Sequence, residues 1–184
     1  MPIPIPVAGL RTILGEVPDG QLVVLDGGVS VAKGFLAREF VRGMGEGGRR
    51  VRLVDGADPE SNLQTLVAMH GTAGDVVVDG FGVLAAGSTS AEVGHSLRRL
   101  RKTCRDTGAV AILTNQRGLL DEGGDAALHS LADGLIVFHE REDTDGIVRF
   151  LRVSKWMGGG GSPRNVYYDC DGKRLDIDTR RRVN

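Results

Sequence analysis

Three stretches of this chain are apolar at nearly every position rather than at every second one: QLVVLD at 21–26, DVVVDG at 75–80 and GAVAILTNQ at 108–116. Strands of that kind are buried on both faces, which is the condition of a parallel sheet and not of a half-solvated antiparallel one. RVRLVD at 50–55 has strand length as well. The segments between them repeat at helical spacing. KGFLAREFVRGMGEG at 33–47 puts Leu36, Phe40 and Met44 on one face. PESNLQTLVAMHG at 59–71 predicts a second helix, with Asp58 as N-cap and Pro59 at its first position. A third is expected over 90–107, capped by Ser90. Strand and helix in alternation predict an α/β fold with helices on both faces of a parallel sheet.

After residue 117 the pattern changes. GLIVFHE (134–140), IVRFLRVSK (147–155), NVYYD (165–169) and KRLDID (173–178) read as strands, with turn signals EDTDG and DCDG between them. The parallel core is therefore expected to end in antiparallel C-terminal strands. No internal repeat breaks the 184 residues, so one domain is expected over 1–184. The proline-rich start, PIPIP, cannot form a helix, and residues 1–8 are expected to be an extended N-terminal arm or a disordered leader.

A net charge of -1 gives no global attraction to nucleic acid or to an anionic membrane. No apolar stretch reaches the roughly 20 residues a membrane span needs, and MPIPIPVAGL lacks the basic start and long apolar core of a signal peptide. The chain is expected in the cytoplasm, with no membrane partner. Cys104 and Cys170 form no CxxC pair, and His70, His95, His129 and His139 are dispersed, so neither set has metal-ligand spacing.

The stretch LDGGVSVAKGF at 25–35 carries the chemical signal. It follows a strand and opens a helix, as the phosphate loop G-x-x-x-x-G-K-[ST] does. Such a loop gathers backbone N–H groups on an anion at a helix N-terminus, and its lysine reaches the terminal phosphates. Gly27 and Lys33 fit. Ala32 stands at the second glycine, and Gly34 stands where a hydroxyl would ligate Mg²⁺. Read alone, the loop is either a nucleotide site or an ordinary strand-helix turn. The chain then supplies, in order, an apolar strand ending in Asp79, the type of acid that holds a metal's water shell. A further strand ends in Thr114-Asn115-Gln116, where Gln116 could sense a γ-phosphate.

These segments resemble a family. GLRTILGEVPDGQLVVLDGG (9–28) is similar to the entry segment of the RecA/RadA/KaiC group of P-loop ATPases, and AVAILTNQ (109–116) to that group's strand ending in T-N-Q. LADGLIVFHERE and RFLRVSKWMGG, within 131–159, resemble a KaiC-like segment, and NVYYDCDGKRLDID resembles its closing hairpin. The resemblance covers nearly the whole chain. It implies a three-layer P-loop NTPase fold of RecA/KaiC type, in which the 109–116 strand lies between the loop strand and the Asp79 strand. It implies ATP and Mg²⁺ as cofactors, with Gly27, Gly28, Ser30, Lys33 and Gly34 at the nucleotide and Asp79 at the metal. Gln116 would be the sensor, and Lys155 the lysine that reaches a neighbouring subunit's nucleotide.

The departures from that pattern are concurrent. The family's water-polarising glutamate pair falls on Asp55-Gly56, leaving at best one shorter carboxylate. Gly34 replaces the hydroxyl, and Met157 replaces an arginine two residues after Lys155. Catalysis of phosphoryl transfer rests on positioning and electrostatics, so these losses together predict a pseudo-ATPase. It would be a catalytically impaired nucleotide-binding or scaffold protein, acting through protein partners or its own copies. The alternatives are a RadB-like recombination accessory and a weakly active ATPase. The first would bind DNA through RRVR, RRLRK and RRR at 49–52, 98–102 and 180–182. DNA is the less favoured partner, because solvated helix faces account for these runs. Trp156 could anchor an interface or pack on its own domain.

Overall fold

Strand β3 (Leu22–Gly27) lies at the middle of the sheet, although it comes early in the chain. A computed structural model describes residues 2–29, 31–144, 146–157, 165–171 and 173–178. Ser30, the glycine-rich segment 158–164, the basic run 180–182 and the His70 side chain lie outside the described residues.

Before β3 the chain forms β1 (Ile3–Pro4), α1 (Ala8–Leu14) and β2 (Glu16–Val17). After it come α2 (Val31–Glu46), β4 (Val51–Asp55), α3 (Leu63–Ala73) and β5 (Asp75–Asp79). Then follow α4 (Phe81–Leu84), α5 (Ser90–Thr107), β6 (Ala111–Thr114) and α6 (Glu122–Leu131). The chain closes with β7 (Gly134–Asp143), β8 (Gly146–Lys155), β9 (Asn165–Cys170) and β10 (Leu175–Asp178). Among the described residues, an eight-stranded sheet runs in the order β10-β9-β8-β7-β3-β6-β5-β4. From β7 to β4 neighbouring strands are parallel, and β8, β9 and β10 are each antiparallel to the strand before. The strand that follows α5 lies between β3 and β5, as the family resemblance implies.

The apolar strands divide their side chains between two cores. Val23, Leu25, Val77, Ile112, Ile136 and Phe138 face α1 and α2, joined there by Leu36, Phe40 and Met44. Leu22, Val24, Val76, Val78, Leu113 and Val137 face the opposite layer, with Leu97 and Leu100 of α5 and Leu128 of α6. Burial on both sides is the reason these strands carry no alternation.

Two helix starts differ from expectation. α3 begins at Leu63, where Asn62 and Thr65 form a reciprocal capping box. Asp58 instead accepts the Glu60 N–H at 3.0 Å in a turn. Asn62 prevails because its pair satisfies two backbone donors at once. Likewise Thr89 caps α5 with Glu92, and Ser90 donates to Asp121 at 2.6 Å.

The proline-rich start is neither an arm reaching outward nor a loose leader over its described residues. Ile3 and Pro4 pair with Val17 and Glu16, and Ile3 and Ile5 are buried on the α2 side of the sheet. Trp156 also packs on its own chain, donating its indole N–H to the Leu14 carbonyl at 2.8 Å.

Candidate nucleotide site

The parallel strands β3, β5 and β6 end on the same edge of the sheet. Their C-terminal ends bring Lys33, Gly34, Asp79 and Gln116 around one cleft of about 350 Å³. This is where open α/β sheets place ligands.

Gly27 turns the chain out of β3 at φ 145°, and a Cβ there would meet the Phe138 carbonyl oxygen of β7 at 2.3 Å. Only glycine fits so close an approach. At Gly28 a Cβ would meet nothing within 4 Å, so the space above the loop is open. Ala32, at the second glycine position of the motif, is already within α2 and is fully buried. A methyl group is thus part of the packing there, and the helical backbone needs no glycine. Val29 is 78% exposed at the cleft rim and does not fill the loop.

Lys33 is buried and donates to the Gly28 carbonyl of its own loop. Burial pushes its pKa down, against the opposing charges of Asp26, Glu140 and Asp79. Behind the loop lies Asp26, a fully buried carboxylate. It accepts from Asn115 Nδ2 at 2.9 Å and Arg117 Nε at 2.8 Å, and lies 3.0 Å from His129 Nε2. Burial alone would raise its pKa. The hydrogen bonds from Arg117 and Asn115 and the Arg117 charge outweigh it and hold the carboxyl below the ordinary value.

Asp79 accepts the Thr114 hydroxyl at 2.9 Å, and Thr114 in turn accepts the Gly80 N–H at 2.7 Å. Its other oxygen lies 3.5 Å from the Arg38 guanidinium. Asn115 is wholly buried at the cleft and commits its amide hydrogens to Asp26 and Asp125. Its Oδ1 is a buried acceptor with no partner among the described residues. Gly82 closes on this oxygen: a Cβ at that glycine would lie 2.7 Å from Asn115 Oδ1.

Asp55 and Lys155 are not among the described residues lining this cleft. Asp55 pairs in register with Asp79 from the edge strand, is exposed, and accepts the Ala57 N–H at 2.9 Å. Beside it, a Cβ at Gly56 would lie 2.0 Å from the Gly80 carbonyl oxygen. Lys155 reaches the last turn of α6, donating to the carbonyls of His129 at 2.6 Å and Ser130 at 3.1 Å.

The residues for Mg²⁺ do not fit the family pattern. Gly34 offers no side-chain oxygen, and Asp79 already meets a hydroxyl and a guanidinium. Among the described residues no cluster of three or more His, Cys, Asp or Glu is placed to hold a metal ion. Arg38, Asp26, Arg117 and His129 were not legible as site residues. An acid inside an otherwise apolar buried strand was the available signal for Asp26. For Arg38 it was the one-turn spacing from Gly34.

No protein-family model and no curated protein matches this sequence. Solved structures do match the fold. A KaiC-like protein from the hyperthermophilic archaeon Pyrococcus horikoshii superposes with a TM-score of 0.78 at 16% identity, over 97% of this chain and 99% of that one. The flagellar accessory protein FlaH from Methanocaldococcus jannaschii gives 0.76 at 14% identity, over 96% and 98%. The fold is the RecA/KaiC-type P-loop fold, with a mostly parallel sheet and antiparallel C-terminal strands. Among the described residues, no helix is long and apolar enough to cross a membrane.

Proposed function

We propose that this chain is a nucleotide-binding protein of RecA/KaiC fold that does not turn its nucleotide over efficiently and acts through protein partners or copies of itself. The observation that carries the reading is the packing at Gly56. The family's second water-polarising carboxylate would need a side chain there, where even a Cβ would lie 2.0 Å from a backbone oxygen. At Gly34 a Cβ would lie 3.1 Å from the movable Asp79 carboxylate, a tight contact but not a closed one. The backbone packing at Gly56 is built around the loss there, which supports a settled departure from hydrolysis. Binding is supported by the open loop at Gly28 and the lysine of the motif. The likeness to an accessory protein supports action through partners.

The DNA-binding alternative is less supported. In the basic run at 98–102, Arg101 holds Asp133 at 2.6 Å and Lys102 pairs with Asp106. Arg49, in the run at 49–52, bridges Asp75 and Asp19. These cations are engaged by carboxylates rather than left as a track for a phosphate backbone.

Isothermal titration with ATP and a phosphate-release assay test the proposal together. Binding that Lys33→Ala abolishes, with no steady phosphate release, is the expected result. Turnover at ordinary ATPase rates, lost in Lys33→Ala, would instead make this an active enzyme.

A further inference from the structure

Arg38 follows Gly34 by one helical turn on α2. A Cβ at residue 34 would lie 3.4 Å from Arg38 Nη1 and 3.1 Å from Asp79 Oδ2. The guanidinium thus passes over the glycine toward the carboxylate, with Nη1 3.5 Å from Oδ2. In a phosphate loop of the full motif, this space belongs to the hydroxyl and the cation it helps to hold. Here a fixed positive charge occupies it, and the missing side chain at 34 is what makes room.

We infer that Arg38 stands in for the divalent cation, so that the cleft takes a phosphate ester without metal. This rests on the nucleotide-binding reading above. Among the described lining residues, Lys33 and Arg38 supply the positive charges at the cleft, one from inside the loop and one from its rim. A guanidinium suits the second role. It carries five donors in a planar fork and stays charged at any working pH. The Arg38 side chain is 57% exposed, and its described polar contact is with Asp79 alone, so the fork can also engage a phosphate oxygen. Asp79, held by Thr114, then orients the arginine rather than a metal's water shell. The ligand class is a nucleotide whose phosphates are neutralised by side chains alone.

The test is calorimetric titration of the full chain with ATP, in EDTA and in excess MgCl₂, for the native sequence, Arg38→Ala and Arg38→Lys. The expected result is a Kd that differs by less than about threefold between the two buffers. It should weaken by about tenfold or more in Arg38→Ala, the scale of one lost charge-assisted contact, with partial recovery in Arg38→Lys. Arg38 is on the surface, and unchanged unfolding midpoints would show that the variants fold. Binding that strengthens tenfold or more with Mg²⁺ overturns the inference and leaves nucleotide binding standing. Arg38→Ala binding ATP as the native chain does also overturns it. Absence of binding in both buffers overturns this inference and the nucleotide reading together.

Discussion

Asp26 Oδ2 and Arg117 Nε meet at 2.8 Å across 91 residues of sequence, directly behind the loop that opens at Gly27. The carboxylate is fully buried, while the arginine side chain is 46% exposed. Removing one partner of a fully buried pair costs about 3–5 kcal/mol. Half of this pair is in water, and Asn115 remains, so Arg117→Ala should lose about 2 kcal/mol in urea unfolding. The acid limb offers a second check. Because the folded Asp26 carboxyl is held below 3.8, its contribution is complete above the unfolded value and is lost as pH falls through the folded one. Asp26→Asn should therefore show a flatter decline of stability below about pH 4. An identical acid limb would remove this carboxylate from the stability of the loop.

Gly27 and Gly28 are adjacent and physically unlike. Gly27→Ala would force a Cβ to 2.3 Å from a carbonyl oxygen at positive φ, and should destabilise by about 2–4 kcal/mol. Gly28→Ala enters open space and should stay within about 0.5 kcal/mol. Equal thermal midpoints for the two variants would contradict the observed contact with β7.

Lys155 caps the last turn of α6 with two hydrogen bonds, where a cation also opposes the helix dipole. Lys155→Met should lower unfolding stability by about 1 kcal/mol, independent of protein concentration. A loss seen only at concentrations where copies associate would assign the lysine to an interface instead.

Burial raises the Cys104 thiol to about 12, so it stays protonated at neutral pH. Alkylation of the native chain at pH 8, mapped by mass spectrometry, should leave Cys104 unlabelled until denaturant is added. Native labelling at the rate of a small exposed thiol would show that α5 opens from the sheet.

The sheet was legible because its strands are buried on both faces, a demand that keeps β3, β5 and β6 apolar except for Asp26 and the strand ends. The caps were less so. Asp58 and Asn62 both have capping chemistry, and only the partner at Thr65 separates them. The proline start was read correctly as non-helical, but nothing local shows that Ile3 and Ile5 find the α2 core. At the cleft, Lys33 and Asp79 are brought together as their places after one strand and at the end of another suggest. Arg117 and His129 were not legible in this way, because what gives them meaning is Asp26, 91 and 103 residues away. The tight packing at Gly56 is likewise a matter of a neighbouring strand end, invisible along the chain.

The placement of β3 between β6 and β7 has a consequence for biosynthesis. The loop at Gly27 is translated within the first 34 residues, yet Gly27 is seated by the Phe138 backbone. A ribosome must emit roughly three-quarters of the chain before that turn has its neighbour. Loop closures of such length delay folding. A nascent chain arrested before residue 134 has the loop but lacks the strand that seats it, so on the nucleotide-binding proposal ATP capture by chains of increasing length should begin only once β7 has emerged.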